Sequence, residues 1–269
     1  MEEPSLFLAK EQLKPFKKKV VLRVSGNTPI EKGRFKGQIV KDIFSWGKHL
    51  LFQFDGFALK VHFLMFGTFS AVVEGKSVTG DYKKTRVRRL ALTFENGQIE
   101  LYTCSVKIIE HARLKTTYDY AADIMSPTWD SALAYGKMKT FPEEEIGDVL
   151  LDQSIFGGVG NIIKNEILSL ARINAQETVR DLSPQKRKTL IDFARSFSIQ
   201  FYKWRKKFVL RHHLTIHRKD ICPHCGGKVT HKKSGKRDRW SHYCPVCQQL
   251  RSRYRHRNVE KMHRSVSAS

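Results

Sequence analysis

The chain has 269 residues, with 49 Lys+Arg against 26 Asp+Glu and a net charge of +23. A hydrophobic content of 41% and an aromatic content of 11% exclude a disordered chain, and the length suits one large domain or two ordinary ones. The charge implies a polyanionic partner, nucleic acid before an anionic membrane, and no apolar run is long enough to span a bilayer. Met1-Glu2-Glu3-Pro4 lacks the basic-then-apolar order of a secretory signal, so an intracellular protein is expected, cytoplasmic or nucleoid-associated.

Leu6, Ala9, Leu13 and Phe16 fall at helical spacing after Pro4, which predicts a short amphipathic helix over 5–16. From Lys19 to about Glu110 the pattern is β-rich: KVVLRV, GQIVKDIF, HLLFQF, FALKVHFLMF, TFSAVV and RRLALTF alternate with turn clusters. Glu95-Asn96-Gly97-Gln98 before IELYTCSVKII is a hairpin signal. So many consecutive short strands predict a β-sandwich or barrel. After about Arg113 the reading turns helical, over Trp129–Lys139, Glu143–Phe156, Asn161–Ile173 and Pro184–Phe208, the last capped by Ser183. The fold class is therefore α+β: an N-terminal helix and β-sandwich over 1–115, a helical domain over 116–210, a zinc-finger hairpin over 211–250 and a basic tail over 251–269. Charge follows this division. Residues 203–269 hold nineteen Lys/Arg against Asp220, Asp238 and Glu260, which is sixteen of the twenty-three net charges.

Four of five cysteines form Cys222-Pro223-His224-Cys225 and Cys244-Pro245-Val246-Cys247, eighteen residues apart. Each C-x₂-C turn aims two sulfurs at one point, and a hairpin between the turns brings the pairs together, as in a tetrahedral four-thiolate zinc site. With no open coordination position, one structural Zn²⁺ is expected. Disulfides are the alternative, disfavoured by an intracellular setting and an odd count. Cys104 reads as a buried apolar residue. In LLDQSIFGGVGNIIKNEIL, Gly157-Gly158-Val159-Gly160 separates two helices and Asn161 opens the second, either as a phosphate-binding turn or as an ordinary capped turn.

Taken together these residues resemble the formamidopyrimidine-DNA glycosylase/endonuclease VIII family. Leu150 to Glu166 is similar to its helix–two-turn–helix signature, and the four-cysteine segment ending at Gln248 to its zinc finger. Ser45-Trp46-Gly47-Lys48-His49-Leu50 resembles its Gly-Lys segment, and His62-Phe63-Leu64-Met65-Phe66-Gly67 its His-Leu-x-Met-x-Gly strand. The resemblance implies a two-domain protein acting as a monomer on damaged double-stranded DNA, held in a cleft between the domains. It implies a bifunctional glycosylase and abasic-site lyase that flips its target base. Lys48 would face the lesion-bearing phosphates and assist strand cleavage. Gly158, Gly160 and Asn161 would hold a phosphate, Arg239 would clamp phosphates beside the lesion and assist the last elimination, and Met65 would fill the gap left by the flipped base.

The family usually begins Met-Pro-Glu-x-Pro, and the proline amine exposed by removal of Met attacks the sugar carbon to form a Schiff base. Aligning Pro4 here with the later proline leaves the nucleophilic proline missing and sets Glu2 at the catalytic glutamate. Three readings stay open: a lesion-binding protein without the chemistry, a different start, or a retained Met1 whose primary α-amine, ordinarily of pKa about 7.7–8, takes the proline's place. Thr103-Cys104-Ser105-Val106-Lys107-Ile108 stands where purine-directed members carry Asp-x-Arg-Arg-Phe-Gly, which favours the endonuclease VIII branch and oxidised pyrimidines. An RNA-binding zinc ribbon is a third class, needing neither Lys48 nor a lesion.

Overall fold

The computed structural model describes residues 1–79 and 87–250; the basic tail expected over 251–269 lies outside the described residues. The chain divides into two compact units, Met1–Thr128 and the part from Trp129 onward.

The first unit opens with α1 (Glu3–Gln12), which Glu2 enters in extended conformation, with Pro4 in the first turn. A single 3₁₀ turn (Lys14–Phe16) follows. The strands are β1 (Arg23–Ser25), β2 (Asp42–Trp46), β3 (His49–Gln53), β4 (Phe57–Val73), β5 (Lys76–Ser77), β6 (Arg88–Phe94) and β7 (Gly97–Glu110), and α2 (His111–Thr117) closes the series. They form one antiparallel sheet in the order β1-β6-β7-β4-β3-β2, with β5 on β4. Successive residues of a strand point to opposite faces, and both faces here are covered. Leu50, Phe52, Leu59 and Val61 join Leu6, Leu13 and Phe16 in one core. Leu51 and Ala58 join Trp46, Leu114 and Tyr118 in another. Burial on both faces explains why HLLFQF reads as a continuous apolar run.

Two details depart from the sequence reading. Of KVVLRV only Arg23 and Val24 enter a strand, because Val21 turns to exchange hydrogen bonds with Gly37 and Gln38. FALKVHFLMF and TFSAVV are one strand, not two. Its register on β7 breaks between Phe63 and Thr68, so residues 64–67 stand opposite Thr103 alone. Gly67 is obligatory there: a Cβ would lie 2.6 Å from the Thr103 carbonyl oxygen. The hairpin expected at Glu95–Gln98 joins β6 to β7, with Gly97 paired with Phe94 and in close approach to the Val72 carbonyl.

The second unit comprises α3 (Ser131–Lys139), α4 (Ile146–Val149), α5 (Asn161–Leu170), α6 (Pro184–Lys206), α7 (Leu210–His213) and a hairpin of β8 (Thr230–Ser234) and β9 (Arg239–Tyr243). Asp130 caps α3 by accepting from Ala132 and Leu133, and Ser183 caps α6 before Pro184. The helix expected over Glu143–Phe156 shrinks to α4. The N–H groups of Ile146 and Gly147 bond to the carbonyls of Glu177 and Ala175, long-range partners that replace a first helical turn. No described helix is long and apolar enough to cross a membrane.

Candidate active site and metal cluster

In the first unit the site is built on the β2–β3 hairpin and the start of β4. Trp46 pairs with His49, so Gly47 and Lys48 are a two-residue turn, and Gly47 adopts φ 53° at its first central position. The Gly47 N–H donates to Asp123 Oδ2 at 3.2 Å, and the Met125 N–H to Oδ1 at 2.8 Å, so a buried carboxylate fixes the turn that carries Lys48. Burial raises the Asp123 carboxyl to about 6, against the pull of those N–H groups and that of Ser126. Glu3, fully buried in the first turn of α1, is raised well above the carboxylate range, by burial first and then by Asp123.

The Met1 α-amine donates to the Phe63 carbonyl at 3.4 Å, and the Met1 side chain packs on the sheet core. His62, the preceding residue of β4, is lowered by burial, then by the charges of the N-terminal amine, Lys48 and Lys60. The amine and Lys48, forty-seven positions apart in sequence, therefore bear on the same imidazole. His49, opposite His62 in the register, is held down to about 4 by burial, Lys60 and His62, so both rings are neutral near pH 7. Sequence reasoning quoted both histidines only as parts of motifs. The signal available was the β alternation that puts them on paired strands. Glu2 adjoins Met1, with its carbonyl accepting from Ser5 at 3.0 Å.

Met65 lies in the bulge three residues beyond His62 and is 74% exposed, flanked by Leu64 and Phe66, which are also exposed. A core methionine is excluded. Cys104, opposite Phe63, is a buried thiol raised to about 11 by burial, inert as expected.

In the second unit the glycine turn differs from expectation. Gly157–Gly160 are buried, and the Gly158 N–H, at φ 98°, donates to Gln153 Oε1 at 3.0 Å. Gln153 also donates to the carbonyls of Leu151 and Val159, so this side chain, missed in the sequence, braces the turn. The cap of α5 is Gly160; Asn161 is its first residue, and its Oδ1 is buried with no hydrogen-bond partner. Asn161 as the capping residue is thereby corrected. Arg239 is exposed and starts β9. The loop before it is set by Asp148, which accepts from the N–H groups of Lys236 at 2.6 Å and Arg237 at 3.4 Å.

Cys222, Cys225, Cys244 and Cys247 present their sulfurs within 4.8 Å of one another. Cys222 and Cys247 Sγ are 3.9 Å apart, and Cys225 and Cys244 Sγ 3.5 Å. These separations exceed a disulfide bond and match the roughly 3.8 Å edge of a tetrahedron with metal–sulfur bonds of about 2.3 Å. The Cys247 thiol is pushed up to about 12, foremost by the Cys225 sulfur, a mutual suppression that a divalent cation relieves. The cluster can hold a metal and is consistent with a zinc finger. Ile216 and Val229 are the only other buried members of the finger's apolar cluster among the described residues.

No family model matches the chain. Endonuclease 8-like 3 of Mus musculus is 31% identical over 218 residues, 80% of this chain and 35% of the relative. Endonuclease 8 of Salmonella arizonae is 27% identical over 227 residues, 79% of this chain and 84% of the relative. The structure of the Lactococcus lactis formamidopyrimidine-DNA glycosylase bound non-covalently to abasic-site DNA superposes with a TM-score of 0.80 at 21% identity, over 93% of this chain and all of that one. These relatives support the formamidopyrimidine-DNA glycosylase/endonuclease VIII family, close to its endonuclease VIII-like branch, and the structural neighbour shares the fold. It spans about a third of the length of the endonuclease 8-like 3 relatives from mouse, human, frog and cattle.

Proposed function

We propose that the chain is a DNA glycosylase of base excision repair with abasic-site lyase activity, and that the Met1 α-amine is its nucleophile. The observation that carries this reading is the Met1 α-amine bonded to the Phe63 carbonyl at 3.4 Å, next to His62, whose register partner His49 follows Lys48 in the β2–β3 turn. Nucleophilic attack requires the unprotonated form of that amine. A primary amine forms a Schiff base as a proline amine does, so loss of the proline does not by itself remove the chemistry. Attack at the sugar carbon would displace the damaged base, with Glu2, next to the amine in sequence, handling protons and Lys48 facing the flanking phosphates.

Met65, at the crest of the bulge, suits the role of filling the stack after base extrusion, at an unstacking cost of a few kcal/mol. Gly158, Gly160 and Asn161 would take a phosphate at the start of α5. The Asn161 amide, with its oxygen buried and unpartnered, is not committed to capping the helix. Arg239 would clamp phosphates from the finger, whose four cysteines would hold one structural Zn²⁺. Oxidised pyrimidines in duplex DNA are the favoured substrates.

The test is borohydride trapping on a duplex carrying an abasic site. A covalent adduct is expected with the native protein and none after selective acetylation of the α-amine, while Lys48→Gln should slow nicking by roughly a hundredfold. Undiminished duplex binding with no adduct would establish the alternative, a lesion-binding protein without catalysis.

A further inference from the structure

The C-terminal end of α6 holds an aromatic ring where the backbone disfavours one. After Lys207 the helix is closed by two hydrogen bonds, from Val209 N–H to the Trp204 carbonyl at 3.0 Å and from Phe208 N–H to the Arg205 carbonyl at 3.1 Å. This cap needs a left-handed residue at the position of Phe208, normally glycine, and Phe208 adopts φ 60° there. The strain is not offset by packing. Phe208 is 69% exposed, and the chain buries Leu210 instead.

The surroundings are uniformly cationic. Lys203, Lys206, Lys207, Arg211 and His212 are all exposed around the ring in sequence, and no Asp or Glu occurs from Phe193 to Lys219. Lys206 Nζ lies along the helix, 3.1 Å from the Tyr202 hydroxyl, and the charge of Arg211 bears on Arg205. The helix dipole accounts for cations in the last turn. It does not account for a solvent-facing ring at a strained position, a combination that recurs where function demands it.

An exposed aromatic ring in a stretch of sequence rich in cations and free of acids matches a ligand with exposed π-faces and regularly spaced negative charges. A duplex hides its base faces in the stack, whereas a single strand offers them. We infer that the α6–α7 corner is a second nucleic-acid site, which binds an unpaired strand by stacking a base on Phe208 and pairing phosphates with Lys207 and Arg211. It needs neither a lesion nor the Met1 amine.

The experiment uses the whole 269-residue chain, zinc-loaded, and a fluorescein-labelled oligothymidylate of about a dozen nucleotides, followed by anisotropy. Phe208→Gly should weaken binding about tenfold while leaving the melting temperature equal or higher, because glycine relieves the cap. Phe208→Trp should retain affinity. Lys207→Ala with Arg211→Ala should reduce the salt slope by about 1.4, the loss of two phosphate contacts on a single strand. Affinity for a duplex with an abasic-site analogue should not change in Phe208→Gly. Unchanged oligothymidylate binding in Phe208→Gly would overturn the proposal, as would an equal loss on the lesion duplex, which would merge this corner with the lesion footprint. Because the probe carries no lesion, failure of borohydride trapping leaves this test intact.

Discussion

Replacing Glu166 by glutamine should loosen the finger from the helical body. Glu166 is buried on α5 and accepts from four donors: the N–H groups of Thr215, Ile216 and His217 and the Thr215 hydroxyl, at 2.8–3.1 Å. That segment leads directly into Cys222. Glutamine keeps one carbonyl oxygen and turns an NH₂ group towards the donors of the other, stranding about two of the four. At about 1–3 kcal/mol for each unsatisfied buried donor, the loss is about 2–6 kcal/mol. For a protein of this size, about 2–4 °C per kcal/mol puts the drop in melting temperature at roughly 4–24 °C. Neighbouring contacts would follow, since Asn165 bonds His217 and the His242 N–H, and the buried Lys164 bonds Ser241 Oγ at 3.0 Å and the Trp240 carbonyl. Urea unfolding of the metal-loaded protein measures the loss. A change below about 1 kcal/mol would show that the four donors find water or other partners, and would refute the clamp.

Two further outcomes follow from the same geometry. Asp123, raised to about 6 in the folded chain, contributes stability that is complete below its unfolded value near 4 and lost as pH rises through about 6, roughly 3 kcal/mol in all. His49, lowered to about 4, has the opposite slope. The comparison of thermal melts of wild type and Asp123→Asn across this window therefore isolates the carboxyl, and identical slopes would contradict its burial. Removing the metal with a chelator should unfold the finger, because its apolar cluster is too small to hold the hairpin alone, and should abolish duplex binding. Full binding by metal-free protein, with zinc loss verified by a colorimetric assay, would sink that account.

The sequence by itself determined what local chemistry controls. Alternation located the strands, the two C-x₂-C turns fixed the metal cluster, and Ser183-Pro184 began α6 where expected, since each depends on a few adjacent residues. What required contacts between distant residues was not legible. The helix over Glu143–Phe156 lost its first turn because Ile146 and Gly147 find partners at Glu177 and Ala175. The four-residue bulge that exposes Met65 exists only because β7 supplies one residue opposite it. Asn161 looked like a cap by residue type, but the turn is braced by Gln153 and capped by Gly160. Composition put sixteen of twenty-three net positive charges in the C-terminal quarter. The placement of the Met1 amine on the Phe63 carbonyl next to His62, and of an exposed ring at the end of α6, was decided by tertiary structure, because sheet register and helix capping set positions that sequence separation does not show.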